Sequence, residues 1–175
     1  DNEHEYIDAE GKIIMPGMIN THHHIYSEFA RGLDFKNEKL QSFTDILKNV
    51  WWKLDKKLTL EDLRYSAYTA FIECIKNGVT TVFDHNSSPM SISGSLPTIS
   101  NVADELGIRG CYCYEVSDRD GNRVLDLAIK ENIDFIKYAE KKQDDMTKGM
   151  FGMHAAFTLS DGTLNKCVKA MEGID

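Results

Sequence analysis

The sequence lacks an excess of basic residues and a long apolar run. Its 28 Asp and Glu residues outnumber 20 Lys and Arg residues, which gives a formal net charge of −8. Nucleic acids and anionic membranes recruit proteins through basic surfaces, so we expect neither as a partner. No apolar segment approaches the roughly 20 residues of a transmembrane helix, and we expect no signal peptide. The hydrophobic share of 42% is ordinary for a globular domain with a substantial core.

The sequence also lacks a paired-cysteine motif. Cys74, Cys111, Cys113 and Cys167 form no C-x-x-C pair. Cys111 and Cys113 would share one face of a strand, where they are too far apart along it to bridge easily. We therefore expect a reduced, cytoplasmic protein.

Three junctions of the chain share one pattern, which is an amphipathic helix, a glycine and then an apolar, β-rich run. In residues 59–83, "TLEDLRYSAYTAFIECIKNGVTTVF", a Thr-x-x-Asp capping box at Thr59 begins the helix and Gly78 ends it. The pattern recurs around Gly107, before "CYCY". It recurs more weakly around Gly149, where a polar helical stretch from about Asn122 to Lys142 precedes "MFGMHAAF". Helices that alternate with strands at this spacing indicate βα units and a parallel sheet.

Four strands are predicted, the first being "KIIMPGMIN" at residues 12–20. Each strand leads into polar residues at its carboxyl end, which is the edge where parallel α/β folds place their functional side chains. In chain order these residues are His22 and His24, Asp84 and His85, Glu115, and His154. Ahead of the first strand, the segment "EYIDAEGKIIMPG" alternates around an Ala-Glu-Gly turn. We therefore expect residues 1–15 to be the end of a small β-hairpin domain and residues 16–175 to form the second unit.

Three consecutive histidines, His22, His23 and His24, follow the first strand. If they continue it, His22 and His24 share one face, with Cα atoms roughly 6.5–7 Å apart, and His23 points to the other face. Two imidazoles in that arrangement can converge on one metal ion at about 2 Å. The alternative is a solvated loop or a hydrogen-bonded cluster, and H-x-H spacing by itself leaves both open.

Several segments resemble the amidohydrolase superfamily, best its triazine-hydrolase and nucleobase-deaminase group. They are "MPGMINTHHHIYSEFARGL", "WWKLDKKLTLEDL", "NGVTTVFDHNSSP", "CYEVSDRDGNRV" and "GMHAAFTLSD". The resemblance implies an α/β fold that is a partial (β/α)8 TIM barrel. Residues 16–175 would hold about its first four βα units.

The resemblance also implies the site. His22 and His24 would be ligands of one divalent metal ion, with zinc preferred over iron. The remaining ligands, a His of strand 5, usually a His of strand 6 and an Asp of strand 8, would follow residue 175, as would the Glu that serves as acid. No lysine occurs in "MFGMHAAF", which favours a mononuclear site. We therefore expect an incomplete site, no catalytic residue in this chain, and no activity from the chain alone.

Substrate contact is expected from three residues, each with an alternative role. His154 would contact substrate by the resemblance, but it could instead be structural or a metal ligand. His85 lines the pocket or belongs to a plain loop. Glu115 contacts substrate or forms a salt bridge with Arg119 or Arg31. The tryptophan pair of "NVWWKLD" lies over the pocket mouth or in the core.

The expected function is metal-dependent hydrolysis of a C–N bond by the complete protein, by deamination of a small, amidine-like heterocycle. Hydrolysis of a cyclic amide or a chloro-triazine on the same scaffold is an alternative. A second alternative is a metal- or ligand-binding module without catalysis, although neither G-x-G-x-x-G nor a P-loop motif is present. Half a barrel would leave two sheet edges unpaired, so we expect the remainder of its own chain or a second copy as a partner.

Overall fold

The computed structural model describes residues 6–33 and 40–174, which contain one parallel four-stranded sheet. The strand order follows the chain, β1-β2-β3-β4, and every neighbouring pair is parallel. The strands are β1 Met18–His23, β2 Val79–Asn86, β3 Arg109–Tyr114 and β4 Thr147–Gly149. Sequential parallel order with intervening helices is the arrangement of a barrel wall, which confirms the predicted α/β class.

Helices connect the strands within the described residues. They are α1 Phe43–Ile46, α2 Trp52–Leu54, α3 Leu60–Lys76, α4 Ser95–Leu106, α5 Asn122–Lys142 and α6 Asp161–Met171. A π-helical turn, Leu47–Trp51, joins α1 to α2. Short 3₁₀ helices cover Ile25–Ala30, Asp55–Lys57 and Ala156–Thr158. None of these described helices combines the length and the apolar character that crossing a membrane requires.

The predicted capping signals form as expected. Thr59 Oγ1 accepts a hydrogen bond from the Asp62 backbone N–H at 3.2 Å, and Asp62 Oδ2 accepts one from the Thr59 N–H at 2.8 Å. This capping box satisfies two backbone donors that the first turn of α3 would otherwise leave unpaired. Gly78 (φ 74°) and Gly107 (φ 71°) adopt the left-handed conformation after α3 and α4, respectively.

Two predicted strands are shifted. The first was expected at residues 12–20, but β1 begins at Met18, and residues 12–17 have no regular secondary structure. The fourth was expected within "MFGMHAAF", but β4 ends at Gly149. At Gly149 a Cβ atom would lie 2.8 Å from Ile136 Cα, so this glycine allows β4 to pack directly on α5.

The segment that follows β4 stays beside β3 without being a regular strand. Val116 and Met153 form an isolated parallel bridge. The His154 N–H donates to Val116 O at 2.9 Å, and the Val116 N–H donates to Gly152 O at 3.3 Å. These bonds place His154 beside Val116, two residues after the end of β3.

Before β1, a turn at Glu10–Gly11 is closed by a hydrogen bond from the Lys12 N–H to Ala9 O at 2.8 Å. No strand is assigned in residues 6–17, and residues 1–5 lie outside the described part. A separate hairpin domain over residues 1–15 stays a prediction.

The core lies between the sheet and helices α3, α4 and α5. Tyr112 of β3 contacts Phe71 of α3 edge to face at 6.5 Å and Phe135 of α5 at 5.9 Å, measured between ring centroids. All three side chains are at most 1% exposed. Burial of aromatic side chains of this size contributes about 1.5–3 kcal/mol each, and this layer fixes the strand ends that form the site.

Candidate active site

A cavity of about 380 Å³ opens at the carboxyl ends of the strands. It is lined by the two predicted metal ligands, His22 and His24, and by the three predicted substrate contacts, His85, Glu115 and His154. They come from the ends of β1 and β2, from the residue after β3, and from the segment after β4. Parallel strands present their carboxyl ends at one edge, so residues far apart in the sequence meet there. Their placement is now established, whereas their chemical roles stay predictions.

The histidine triplet alternates as predicted. The Nε2 atoms of His22 and His24 lie 3.0 Å apart, and both rings line the cavity. The His23 ring faces elsewhere, with its Nε2 3.9 Å from Glu28 Oε1 and its Nδ1 4.0 Å from Asp84 Oδ1. The pleat of β1 therefore separates His23 from the other two rings.

Asp84 anchors the chain where β1 ends. Its carboxylate is fully buried, and Oδ1 accepts a hydrogen bond from the Ile25 N–H at 2.7 Å. Burial raises the pKa of Asp84 to about 7, although hydrogen bonds from Ile25 and His85 oppose the rise. This contact holds the backbone immediately after His24 in place.

The hydrogen bonds of His24 and His85 assign their ring protons. His24 Nδ1 lies 2.9 Å from the carbonyl oxygen of His85, and His85 Nε2 lies 3.3 Å from that of Met153. A carbonyl oxygen only accepts, so each of these ring nitrogens carries the proton. Burial lowers the pKa of both rings, that of His85 to about 4, so they are neutral at pH 7. His22, His24 and His85 are called the histidine group below.

The rings of His22 and His24 fit a divalent metal ion as two of its ligands. With Nδ1 protonated, His24 keeps its Nε2 lone pair directed at His22. A tetrahedral zinc ion with Zn–N distances of about 2.0–2.1 Å holds two nitrogens roughly 3.3 Å apart, and the observed separation is 3.0 Å. The hydrogen bond to His85 O is the kind of outer contact that orients ligating histidines.

A complete metal site is not formed by residues 6–33 and 40–174. In that part of the chain, no group of three His, Cys, Asp or Glu side chains is placed to hold an ion. A catalytic zinc site has three protein ligands and an open position. The role of His154 as substrate contact, structural residue or metal ligand stays a prediction.

Another part of the cavity lining is an ionic cluster. Arg119 Nη2 donates to Asp55 Oδ2 at 2.6 Å and to Ser87 Oγ at 2.8 Å, and lies 3.1 Å from Glu115 Oε1. The Arg119 guanidinium also stacks 5.3 Å from the centroid of the Trp52 ring. Asp55, Glu115 and Arg119 are called the carboxylate wall below.

Two carboxylates of this wall share one guanidinium, and both are almost completely buried, with Asp55 1% and Glu115 7% exposed. Burial raises the pKa of Glu115 to about 7 and raises that of Asp55, while Arg119 opposes both changes. Of the two salt-bridge partners considered for Glu115, the structure shows Arg119. Arg31 pairs with Glu28 instead. Glu115 lines the cavity as well, so its ion pair and a substrate contact are compatible.

Asp55 and Arg119 were not predicted as residues of the site. Asp55 follows the tryptophan pair on a short helical segment, and no local pattern distinguishes it from a solvated acidic residue. The apolar mouth was partly anticipated, because Trp51 and Trp52 both line the cavity. Phe43 and Leu47 complete this side.

The fold is shared with solved structures of hydrolases. A triazine hydrolase from Arthrobacter aurescens superposes with a TM-score of 0.72 at 18% identity, over 91% of this chain and 39% of that one. A guanine deaminase from C. acetobutylicum gives a TM-score of 0.71 at 17% identity, over 90% of this chain and 37% of that one. At this level of identity the likeness establishes the fold, and the coverage confirms that the chain forms part of a barrel.

Curated relatives match at higher identity. A 5'-deoxyadenosine deaminase from Methanobrevibacter smithii is 31% identical over 163 residues, which are 93% of this chain and 35% of the relative. A 5-methylthioadenosine/S-adenosylhomocysteine deaminase from Thermococcus sibiricus is 29% identical over 154 residues, 88% of this chain and 34% of the relative. The chain thus spans about one third of the length of these relatives. The Amidohydrolase family model matches residues 13–175, and the chain belongs to this family.

Proposed function

We propose that this chain supplies the first four βα units of a metal-dependent aminohydrolase, which hydrolyses a C–N bond of an amidine-like heterocycle. The observation that carries the proposal is the 3.0 Å approach of the His22 and His24 Nε2 atoms inside a cavity that Glu115 and His154 also line. The curated relatives cited above are deaminases by name, which supports the choice of reaction.

His22 and His24 would hold one divalent ion, zinc in preference to iron. A related fold, an atrazine chlorohydrolase from Arthrobacter aurescens, was solved in complex with zinc. When bound, such an ion supplies a Lewis acid that lowers the pKa of water and polarises an electrophilic carbon. Imidazole nitrogens suit both zinc and iron, so the described ligands alone do not select between them.

The other cavity residues would bind and orient the substrate. A planar heterocycle matches the aromatic mouth, where Trp51 and Trp52 offer flat apolar surfaces that exclude water. Polar groups of the substrate would meet Glu115 and His154 deeper in the cavity. The cation of the wall, Arg119, is already engaged by Asp55 and Glu115, so it holds the wall rigid more than it presents a free charge.

The assay that tests this function uses the longer natural protein loaded with zinc. Aminated heterocycles, cyclic amides and chloro-triazines are offered, and ammonia, ring opening and chloride are measured. Ammonia release from an aminated heterocycle supports the proposal, while the 175-residue chain alone should release none. Chloride release or ring opening without ammonia would replace it with one of the alternative hydrolase reactions. Zinc uptake without turnover of any compound would favour a binding module.

The open edges of the sheet also need a partner. Within the described residues, β1 pairs only with β2 and β4 only with β3, and Met18 and Ile19 of β1 are more than half exposed. We propose that further strands cover both edges, supplied by a longer chain or by a second copy. Intact mass together with the mass in solution tests this, because a 19.9 kDa monomer that stays stable and dispersed would contradict it.

A further inference from the structure

The hydroxyl group of Thr158 lies between a ring nitrogen and a carbonyl oxygen. Thr158 Oγ1 is 2.9 Å from His154 Nδ1 and 2.8 Å from the carbonyl oxygen of Ala155. A hydroxyl has one proton to donate, and the carbonyl can only accept. Thr158 therefore donates to Ala155 O and accepts from the N–H at Nδ1 of His154. The reverse assignment would place two oxygen lone pairs against each other at 2.8 Å.

This hydrogen bond determines whether the other ring nitrogen of His154, Nε2, carries a proton. A neutral imidazole carries one proton, so Nδ1–H leaves a lone pair on Nε2. Burial, Arg119 and His24 all lower the pKa of His154 and so favour the neutral ring at pH 7. His154 Nε2 lies 3.9 Å from Glu115 Oε2, which is beyond hydrogen-bond distance, so its lone pair stays available to a ligand in the cavity.

Thr158 differs from the partners of the other two oriented rings. His24 and His85 are held by backbone carbonyls, which no substitution removes. His154 is held by a side chain of the 3₁₀ turn Ala156–Thr158, and that side chain lies four residues further along. A single hydroxyl group thus orients the His154 ring, and a substitution of Thr158 can remove it.

We propose that Thr158 is a positioning residue that fixes His154 as the Nδ1–H tautomer, so that Nε2 accepts a hydrogen bond from an N–H or O–H group of the substrate. The proton on Nδ1 stands on the described geometry alone, and the free Nε2 also requires the neutral ring. The substrate preference rests on the proposed function, because it requires the cavity to be the substrate site. It predicts selection for compounds that carry a donor at this position over analogues in which that donor is methylated.

The tautomer is measured in the longer natural protein labelled with ¹⁵N-histidine, from two-bond ¹⁵N–¹H correlation spectra at pH 7. The wild-type chain should show a protonated Nδ1 and an unprotonated Nε2 for His154, assigned by the signals lost in His154→Gln. Thr158→Ser keeps the hydroxyl and should keep this pattern. Thr158→Val removes it and should shift the tautomer ratio toward Nε2–H by roughly two- to tenfold, the value of one net hydrogen bond.

An unprotonated Nδ1 in the wild-type chain would overturn the proposal, whatever the variants do. An unchanged ratio in folded Thr158→Val would overturn the role of Thr158. If that variant does not fold, as judged by circular dichroism, the wild-type and Thr158→Ser spectra still decide the tautomer.

The substrate preference is tested separately in the longer, zinc-loaded protein. The ratio of kcat/KM between an N–H substrate and its N-methyl analogue should fall in Thr158→Val and be restored in Thr158→Ser. Turnover with an unchanged ratio would overturn the preference but not the proposed function. No turnover of any substrate would overturn the proposed function. The tautomer of His154 would then still be tested by the NMR spectra.

Discussion

The histidine group and the carboxylate wall face the same cavity but are held in different ways. In the histidine group, the backbone carbonyls of His85 and Met153 orient the rings of His24 and His85, and the His22 ring contacts His24. The carboxylate wall is held by ion pairs between side chains from separate elements, and Asp55 and Arg119 are 64 residues apart in the sequence. The first arrangement follows from strand geometry, whereas the second requires several buried charges to balance one another. Substitutions in the histidine group should therefore change metal binding. Substitutions that change the charge of the carboxylate wall should change the stability of the fold.

The largest expected effect is the loss of metal from the histidine group. His22→Ala or His24→Ala in the longer protein should abolish zinc retention, because each removes one of two converging nitrogens. His23→Ala should retain zinc, since its ring lies outside the cavity. Metal analysis after gel filtration measures the difference. Equal losses at all three positions would contradict the assignment of faces along β1.

Removing the cation of the carboxylate wall should strongly destabilise the fold. Arg119→Met leaves Asp55 and Glu115 buried without their guanidinium, a change that typically costs about 3–5 kcal/mol. Urea unfolding measures this loss in the free energy of unfolding. The matched control is Arg123→Met at an exposed position, which should change stability by less than about 0.5 kcal/mol. Similar values for both variants would show that the wall is not held by charge.

The pH dependence of stability should also reveal the raised pKa of Glu115 in the carboxylate wall. Burial raises the pKa of Glu115 to about 7, against the opposing effect of Arg119, while Asp55 and Asp120 raise it further. The folded state therefore binds this proton more tightly than the unfolded state. Protonated Glu115 therefore contributes on the order of 3 kcal/mol to the free energy of unfolding. This contribution is fully present below about pH 4.5 and is lost as the pH rises through 7.

Glu115→Gln should remove that part of the pH dependence. Unfolding measured between pH 4.5 and 8 should show the wild-type chain losing stability relative to the variant as pH rises. Glu140→Gln, at an exposed position of α5, serves as control and should run parallel to wild type. A wild-type profile parallel to that of Glu115→Gln would mean that folding does not raise the pKa of Glu115.

The smallest expected effect concerns the support beneath the histidine group. Asp84→Ala leaves the buried Ile25 N–H without an acceptor, which costs about 1–3 kcal/mol. Asp84→Asn keeps an oxygen acceptor and should recover most of that loss. Chemical denaturation compares the two variants. Equal destabilisation by both would show that the charge at Asp84 matters more than its hydrogen bond.

Much of the fold was predictable because its signals are local. The helix expected from about Asn122 to Lys142 is α5, Asn122–Lys142. The capping box at Thr59 and the left-handed glycine Gly78 bound α3 as expected. The strand boundaries were less well predicted, since β-rich composition does not show which residues find a hydrogen-bonded neighbour. The segment after β4 reads as a strand but forms a single bridge.

In the candidate site, too, the features set by local geometry were predictable and those set by tertiary packing were not. Alternation of the rings in the histidine triplet was predictable, because the pleat of a strand decides it locally. Whether Glu115 has Arg31 or Arg119 as its partner could not be read from the sequence, because both arginines offer the same charge. Only the packing of helix, loop and strand brings Arg119 within 3.1 Å and directs Arg31 to Glu28.

The sequence by itself determined the alternating βα architecture, the ends of its main helices and the two histidines that share a face. These follow from hydrogen-bonding and side-chain periodicities within a few residues. Only the tertiary structure decided which charges balance in the carboxylate wall, and that the hydroxyl of Thr158 orients His154. The reason is that these depend on distances between atoms of separate turns and strands, which no local pattern records.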